Sequence, residues 1–130
     1  MSESVFGQPS IAPWLSVRNS ARAVEFYKTA VAAKEVFRLD GGGGVLARLA
    51  VGASEFWVSD ESPEHHNFSP ETLNGSSARM VLNVADPDSV FQRFCEAGAR
   101  PIHPVAEEHG WRVGRVVDPF GHHWEITRPL

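Results

Sequence analysis

The stretch WRVGRVVDPFGHHWEIT, residues 111–127, decides how the rest of the chain is read. Two runs of roughly alternating apolar and polar residues flank DPFG, where Asp118 and Pro119 open a turn and Gly121 closes it. Such a pattern makes a hairpin of two strands. Strand alternation also fixes the faces: His123 and Glu125 share one side of the second strand and Trp124 takes the other.

Upstream of the hairpin, ARPIHPV at 99–105 is a further strand, and Pro101 and Pro104 mark it as an edge or irregular one. DPDSVFQRFCEAG at 86–98 reads as a helix: Asp86 caps it, Pro87 takes the first position, Val90, Phe91 and Phe94 make one apolar face, and Gly98 stops it. RMVLNV, 79–84, is the strand that feeds this helix.

The same order stands earlier in the chain. APWLSV at 12–17 is a strand, and RNS supplies Asn19 or Ser20 as a helix cap. ARAVEFYKTAVAA carries Val24, Tyr27, Ala30 and Val31, with Phe26 alongside, at three- and four-residue spacing, which is one buried helical face. KEVFRL, VLARLAV and SEFWVS follow as strands, turning at Gly41 to Gly44 and at Gly52 and Ala53. The glycine run is a hairpin turn and not a phosphate cradle, since no helix follows it and it lacks the lysine and serine of a P-loop.

Laying Val17 on Val84 carries Val24 onto Phe91, Tyr27 onto Phe94 and Ala30 onto Ala97; only Val31, which falls on Gly98, breaks the match. Half-chains of about 60 residues are marginal alone, so the two units are expected to pack as a pair around a shared concave sheet, with a ligand in the concavity. The fold class is therefore α+β: two tandem βαβββ modules at about 10–60 and 78–128, joined by the polar connection DESPEHHNFSPETLNGSS at about 60–77. Met1 to Pro9 reads as a loose polar lead-in.

Composition narrows the partners. The 130 residues suit one domain, with 42% hydrophobic and 22% charged residues. A formal charge of -4 with 12 scattered Lys and Arg argues against a nucleic-acid surface and leaves a small organic ligand as the expected partner. No window approaches the roughly 18 uninterrupted apolar residues of a membrane span and no signal-peptide pattern is visible, so no membrane partner and a cytoplasmic location are expected. Cys95 stands alone, which rules out an intrachain disulfide and suits a buried structural thiol.

With this module order and DPFGHHWEI closing the second unit, the chain resembles the vicinal oxygen chelate superfamily, the glyoxalase, bleomycin-resistance and dioxygenase group. WLSVRNSARAVEFY resembles that family's first strand and helix, and HGWRVGRVVDPFGHHWEI is similar to the end of its bacterial PhnB-like members. The resemblance implies glyoxalase-type concave sheets paired in a homodimer. It also implies, in many relatives, a divalent ion held by a His on the first strand of each module and a Glu on the last strand, sometimes with another Glu in the first module. Such an ion polarises vicinal oxygens of the substrate and keeps open coordination positions.

Carried over, those positions fall on Ala12, Arg79 and Glu125, with the fourth near Trp57 or Val58 and Glu55 the nearest carboxylate. Ala12 offers no donor atom, and Arg79 is a permanent cation. The expectation is a member without metal, in which Arg79 and Glu125 pair on neighbouring strands; a divalent metal is the lesser alternative.

Residues expected to contact a ligand are Trp14, Ser16, Arg79, Asn83, Trp111, Arg112, His123 and Glu125. Trp14 and Trp57 fit core packing as well as a site, and Trp111 and Arg112 read as a loop before the hairpin. Only Glu125 and His123 stand out as catalytic candidates, acting as an acid-base pair. His122 is expected to bond turn backbone, His65 and His66 to be solvated, and His103 and His109 carry no spacing signal; a rearranged metal site among these histidines stays open. The function implied is metal-independent binding or drug sequestration. The alternative is a lyase, isomerase or dioxygenase-type enzyme, metal-dependent or acting by acid-base chemistry.

Overall fold

Two four-stranded sheets, each backed by one helix of about three turns, make up the fold in the computed structural model, which describes residues 7–130. The first six residues of the polar lead-in lie outside the described residues. The first module runs β1 (Trp14–Val17), α1 (Ser20–Ala30), β2 (Lys34–Gly41), β3 (Gly44–Val51) and β4 (Ser54–Asp60). The second runs β5 (Arg79–Asn83), α3 (Pro87–Glu96), β6 (Arg100–Glu108), β7 (Trp111–Val117) and β8 (His123–Pro129). Strand order is β1-β4-β3-β2 in one sheet and β5-β8-β7-β6 in the other. In each the first and last strands pair in parallel and the remaining pairs are antiparallel. The expected α+β pair of βαβββ modules is the observed architecture.

Local chemistry explains the helices. Asn19 Oδ1 accepts from the Arg22 amide at 3.1 Å and Asp86 Oδ1 accepts from the Ser89 amide at 3.3 Å, so both caps read from the sequence are made. Helix α1 buries Ala23, Val24, Phe26, Tyr27 and Ala30, and α3 buries Val90 and Phe94. Prolines at 101 and 104 behave as expected: β6 is an edge strand, and its register shifts between Pro101 and His103 and again before Ala106.

Three boundaries differ. Strand β1 starts at Trp14, so Ala12 precedes it. The connection is not irregular throughout: it holds a 3-10 turn, Pro63–His65, and a short helix, α2 (Pro70–Leu73), capped by Ser69. Strand β6 reaches Glu108 and Trp111 opens β7, because the pairing of Glu108 with Trp111 extends the hairpin through what reads as a loop.

Both modules share one core. Phe26 of α1 meets Phe94 of α3 edge-on at 5.9 Å, and Trp124 of β8 lies 5.6 Å from Tyr27 and 5.9 Å from Phe56. At its centre Asp118, 4% exposed, accepts from the Tyr27 hydroxyl at 2.5 Å and the Trp124 indole N–H at 2.9 Å. It also accepts from the amides of Phe120 and His122. The His122 Nε2–H donates to the Ser16 carbonyl at 3.0 Å, so this histidine is structural, though its partner is β1 rather than its own turn. Cys95 is half-buried at the rim of the core, and burial pushes its thiol up. Among the described residues no helix is long and apolar enough to cross a membrane.

Gly114 lets β7 approach α3. A Cβ there would lie 2.7 Å from Val105 Cγ2 and 2.8 Å from Phe91 Cδ2. Gly114→Ala is therefore expected to cost about 1–3 kcal/mol through overpacking, read as a lower urea midpoint with an unchanged m-value.

Candidate functional site

Each sheet has one face against the helices and one open face. In β1, Leu15 and Val17 point into the core while Trp14 and Ser16 point out; in β4, Phe56 and Val58 point in while Trp57 and Ser59 point out. The parallel register sets Trp14 beside Trp57, and the two indoles stack with centroids 5.2 Å apart at 17°. The Trp14 N–H donates to Ser59 Oγ at 2.8 Å, which fixes the ring. From the opposite side, β3 places the Arg48 guanidinium 5.4 Å over Trp57, and Phe37 of β2 meets it edge-on. The stack runs Arg48, Trp57, Trp14, and Trp14 remains 56% exposed at its end.

The second module's open face is polar. Arg79, Val81 and Asn83 of β5, His123 and Glu125 of β8, and Trp111, Val113 and Arg115 of β7 lie on it, with Val81, Glu125 and Arg115 in one row across three strands. Arg79 sits opposite His123, not Glu125. The expected Arg79–Glu125 pair is therefore corrected: no ion pair or hydrogen bond joins them among the described residues, because the register offsets them by two residues, roughly 6.6 Å along the strand. Arg112 also leaves the site. Alternation in β7 turns it to the helix side, where Nε and Nη2 each donate to the Asp88 carboxylate at 2.6 Å and hold that carboxyl below its usual range.

Arg115 takes a role the sequence reading missed. Its Nε donates to His123 Nδ1 at 3.2 Å, so the imidazole carries its proton on Nε2. Burial, and then the Arg115 charge, hold His123 below its ordinary value of 6.5. The sign of the pH effect follows: as pH falls through 6.5 the unfolded chain takes up this proton first, so stability drops, and the loss stops below the folded-state value. His123→Gln is expected to flatten this part of the stability-pH curve, measured by urea unfolding at a series of pH values. Arg115 was legible in principle, since alternation in WRVGRVV puts it on the face of Trp111 and Val113.

Four cavities open on or beside these faces, and one of them, about 680 Å³, lies between the modules and is lined by Ala12, Glu55, Arg79, Val81 and Asn83. A second, of about 400 Å³, at the seam between modules, is lined by Trp14, Ser16, Phe68, Arg79 and His123. A third, about 350 Å³, is lined by Val81, Asn83, Glu108, Trp111, Val113 and Glu125. The fourth, about 280 Å³, lies on the β6 side of Glu125, against His103, Ala106 and Arg115. Of the sequence-derived candidates, Trp14, Ser16, Arg79 and His123 meet at the seam, while Asn83, Trp111 and Glu125 meet at the third cavity. Glu125 Oε2 is buried and has no hydrogen-bond partner among the described residues.

Residues 14–127 match the glyoxalase-like domain family. The chain belongs to that family. It is 35% identical over 129 residues to an uncharacterized protein of Mycobacterium bovis, covering 95% of this chain and 85% of that one. Among solved structures, TioX from Micromonospora sp. ML1 is similar at 26% identity and a TM-score of 0.72, covering 95% of this chain and 100% of the other. A gene product of Arabidopsis thaliana is similar at 28% identity and a TM-score of 0.75, with 92% and 98% covered. The vicinal oxygen chelate likeness thus holds at the level of superfamily and fold, while the PhnB-like branch is not what these matches show.

This glyoxalase-like domain does not offer the donor set of a metal centre at the positions carried over from that likeness. Register makes Trp57, opposite Trp14, the counterpart of Glu125, opposite Val81. The four positions are then Ala12, Trp57, Arg79 and Glu125, a methyl group, an indole, a guanidinium and a single carboxylate. Among the described residues no group of three or more His, Cys, Asp or Glu side chains is arranged to hold an ion.

Proposed function

We propose that this chain binds a small organic molecule on the open faces of its sheets, without a metal ion, and so acts by sequestration. The observation that carries this reading is the substitution of the metal positions: an alanine, an indole and a guanidinium stand at three of the four and leave one carboxylate, on faces that hold an aromatic stack and two carboxylate-lined cavities. Aromatic plates and a few placed polar groups are the usual lining of small-molecule sites. Two chains pair with these faces turned towards each other and the ligand held between them; Trp14, Phe37, Leu39, Val81 and Trp111 are exposed in a single chain.

The test is a thermal-shift screen of organic compounds on metal-stripped protein, followed by turnover assays on each hit. Saturable stabilisation without turnover is the expected result. Activity lost to chelator and regained with one particular ion would sink the proposal. Sedimentation equilibrium checks the pairing, with twice the chain mass expected.

A second reading is acid-base catalysis, favoured by one observation: His123 presents an Nε2–H on the same face as the Glu125 carboxylate, two residues apart. That reading expects His123→Gln to abolish turnover of a bound compound while leaving its affinity in place.

A further inference from the structure

We propose that the cavity of about 350 Å³ beside Glu125 recognises a primary ammonium group carried on an aromatic or apolar frame. The proposal deepens the binding reading above and rests on it. Its starting point is the Glu125 carboxylate, which lines the cavity and whose Oε2 has no hydrogen-bond donor among the described residues. Buried polar atoms in folded proteins are almost always paired, and leaving a charged one unpaired is costly.

Nothing within the described chain supplies the donor. Arg79 stands opposite His123, and Arg115, although it is the cross-strand neighbour of Glu125, aims its Nε at His123. The open face is thereby divided. Arg79 and His123 line the seam cavity and Arg115 lines the one on the β6 side of Glu125, whereas the remaining cavity beside Glu125 is lined by Glu108, Glu125 and His109 with no lysine or arginine.

The walls select the rest of the ligand. Val81 and Val113 are apolar, and Trp111, 44% exposed, offers an indole face to an aromatic frame or to the cation itself. A primary ammonium brings three N–H donors, and Glu125, Glu108, Asn83 and Thr127 are lining residues that carry oxygen acceptors. A quaternary ammonium would neutralise charge but donate no hydrogen bond to Glu125 or Glu108. A cavity of this size fits a molecule of one ring and a short chain.

Isothermal titration calorimetry with three probes of one shape tests this: phenethylammonium, phenethyl alcohol and hydrocinnamate. The amine is expected to bind about tenfold or more tighter than the alcohol, with the carboxylate weakest. In Glu125→Gln the amine should lose that advantage while the alcohol keeps its affinity. Should Glu125→Gln fail to fold, the exposed Glu108→Gln serves, with a smaller loss for the amine alone. Equal or tighter binding of hydrocinnamate, or an amine preference untouched by both variants, overturns the proposal. If the alcohol and carboxylate bind as well as the amine, ammonium recognition falls and the binding reading stands. If no compound of any charge binds, both fall.

Discussion

Asp118→Ala is expected to remove about 4 kcal/mol or more of folding stability, the largest effect of any single polar substitution in this chain. The carboxylate is 4% exposed and accepts four hydrogen bonds: the Tyr27 hydroxyl, the Trp124 indole N–H, and the amides of Phe120 and His122. Alanine strands all four donors. The two amides belong to the turn between β7 and β8, and Tyr27 and Trp124 are held in the core shared by both modules. Burial first, and then the Asp118 charge, raise the Tyr27 hydroxyl well above its ordinary value of 10.0, so it remains a donor across the working pH range. Tyr27→Phe should cost far less, about 1–2 kcal/mol, since one donor leaves and the acceptor keeps three partners. Urea unfolding of the two variants gives the ranking, and equal midpoints for Asp118→Ala and the unmodified chain would show that the junction between modules is held by packing alone.

The second large effect concerns metal. Dialysed against trace divalent ions, the natural chain is expected to retain none above background, and the variant Ala12→His, Trp57→Glu, Arg79→His to retain about one ion per chain. Register makes Trp57 the counterpart of Glu125, and Arg79 stands on the same open face one side-chain repeat away, so the exchanges supply two imidazoles and a second carboxylate where donors are missing. Removing the Arg79 cation also removes the charge that opposes a divalent ion. Elemental mass spectrometry per chain is the readout, with Glu125→Ala added as the control that should release the ion. Background metal in the triple variant would mean that these four positions do not converge. Stoichiometric metal in the natural chain that vanishes with Glu125→Ala would mean that Glu125 is already a ligand, with partners other than the carried-over positions.

Much of the fold was legible because its determinants are local. The Asn19 and Asp86 caps, the Pro87 and Gly98 boundaries of α3, the glycine turns and the apolar spacing of both helices act within a few residues, and a repeated local pattern gave the two modules. Strand alternation placed Glu125 and His123 outward and Trp124 inward without reference to any other part of the chain. The same alternation carried Arg112 to the helix side and Arg115 to the open face, and treating Trp111 as loop hid that signal.

What alternation by itself does not give is register and reach. A strand's faces follow from its own residues, but which side chain stands opposite which depends on how distant strands slide into place as the core closes. That is why Arg79 meets His123 instead of Glu125, why the two indoles of Trp14 and Trp57 stack, and why Tyr27 finds Asp118 across 91 residues of sequence. The amino-acid sequence alone determined the strands and the two long helices of the modules, the duplication and the outward placement of Glu125. Only the tertiary structure decided that one oxygen of Glu125 is buried without a partner, because that depends on where the arginines of neighbouring strands point once both sheets are packed.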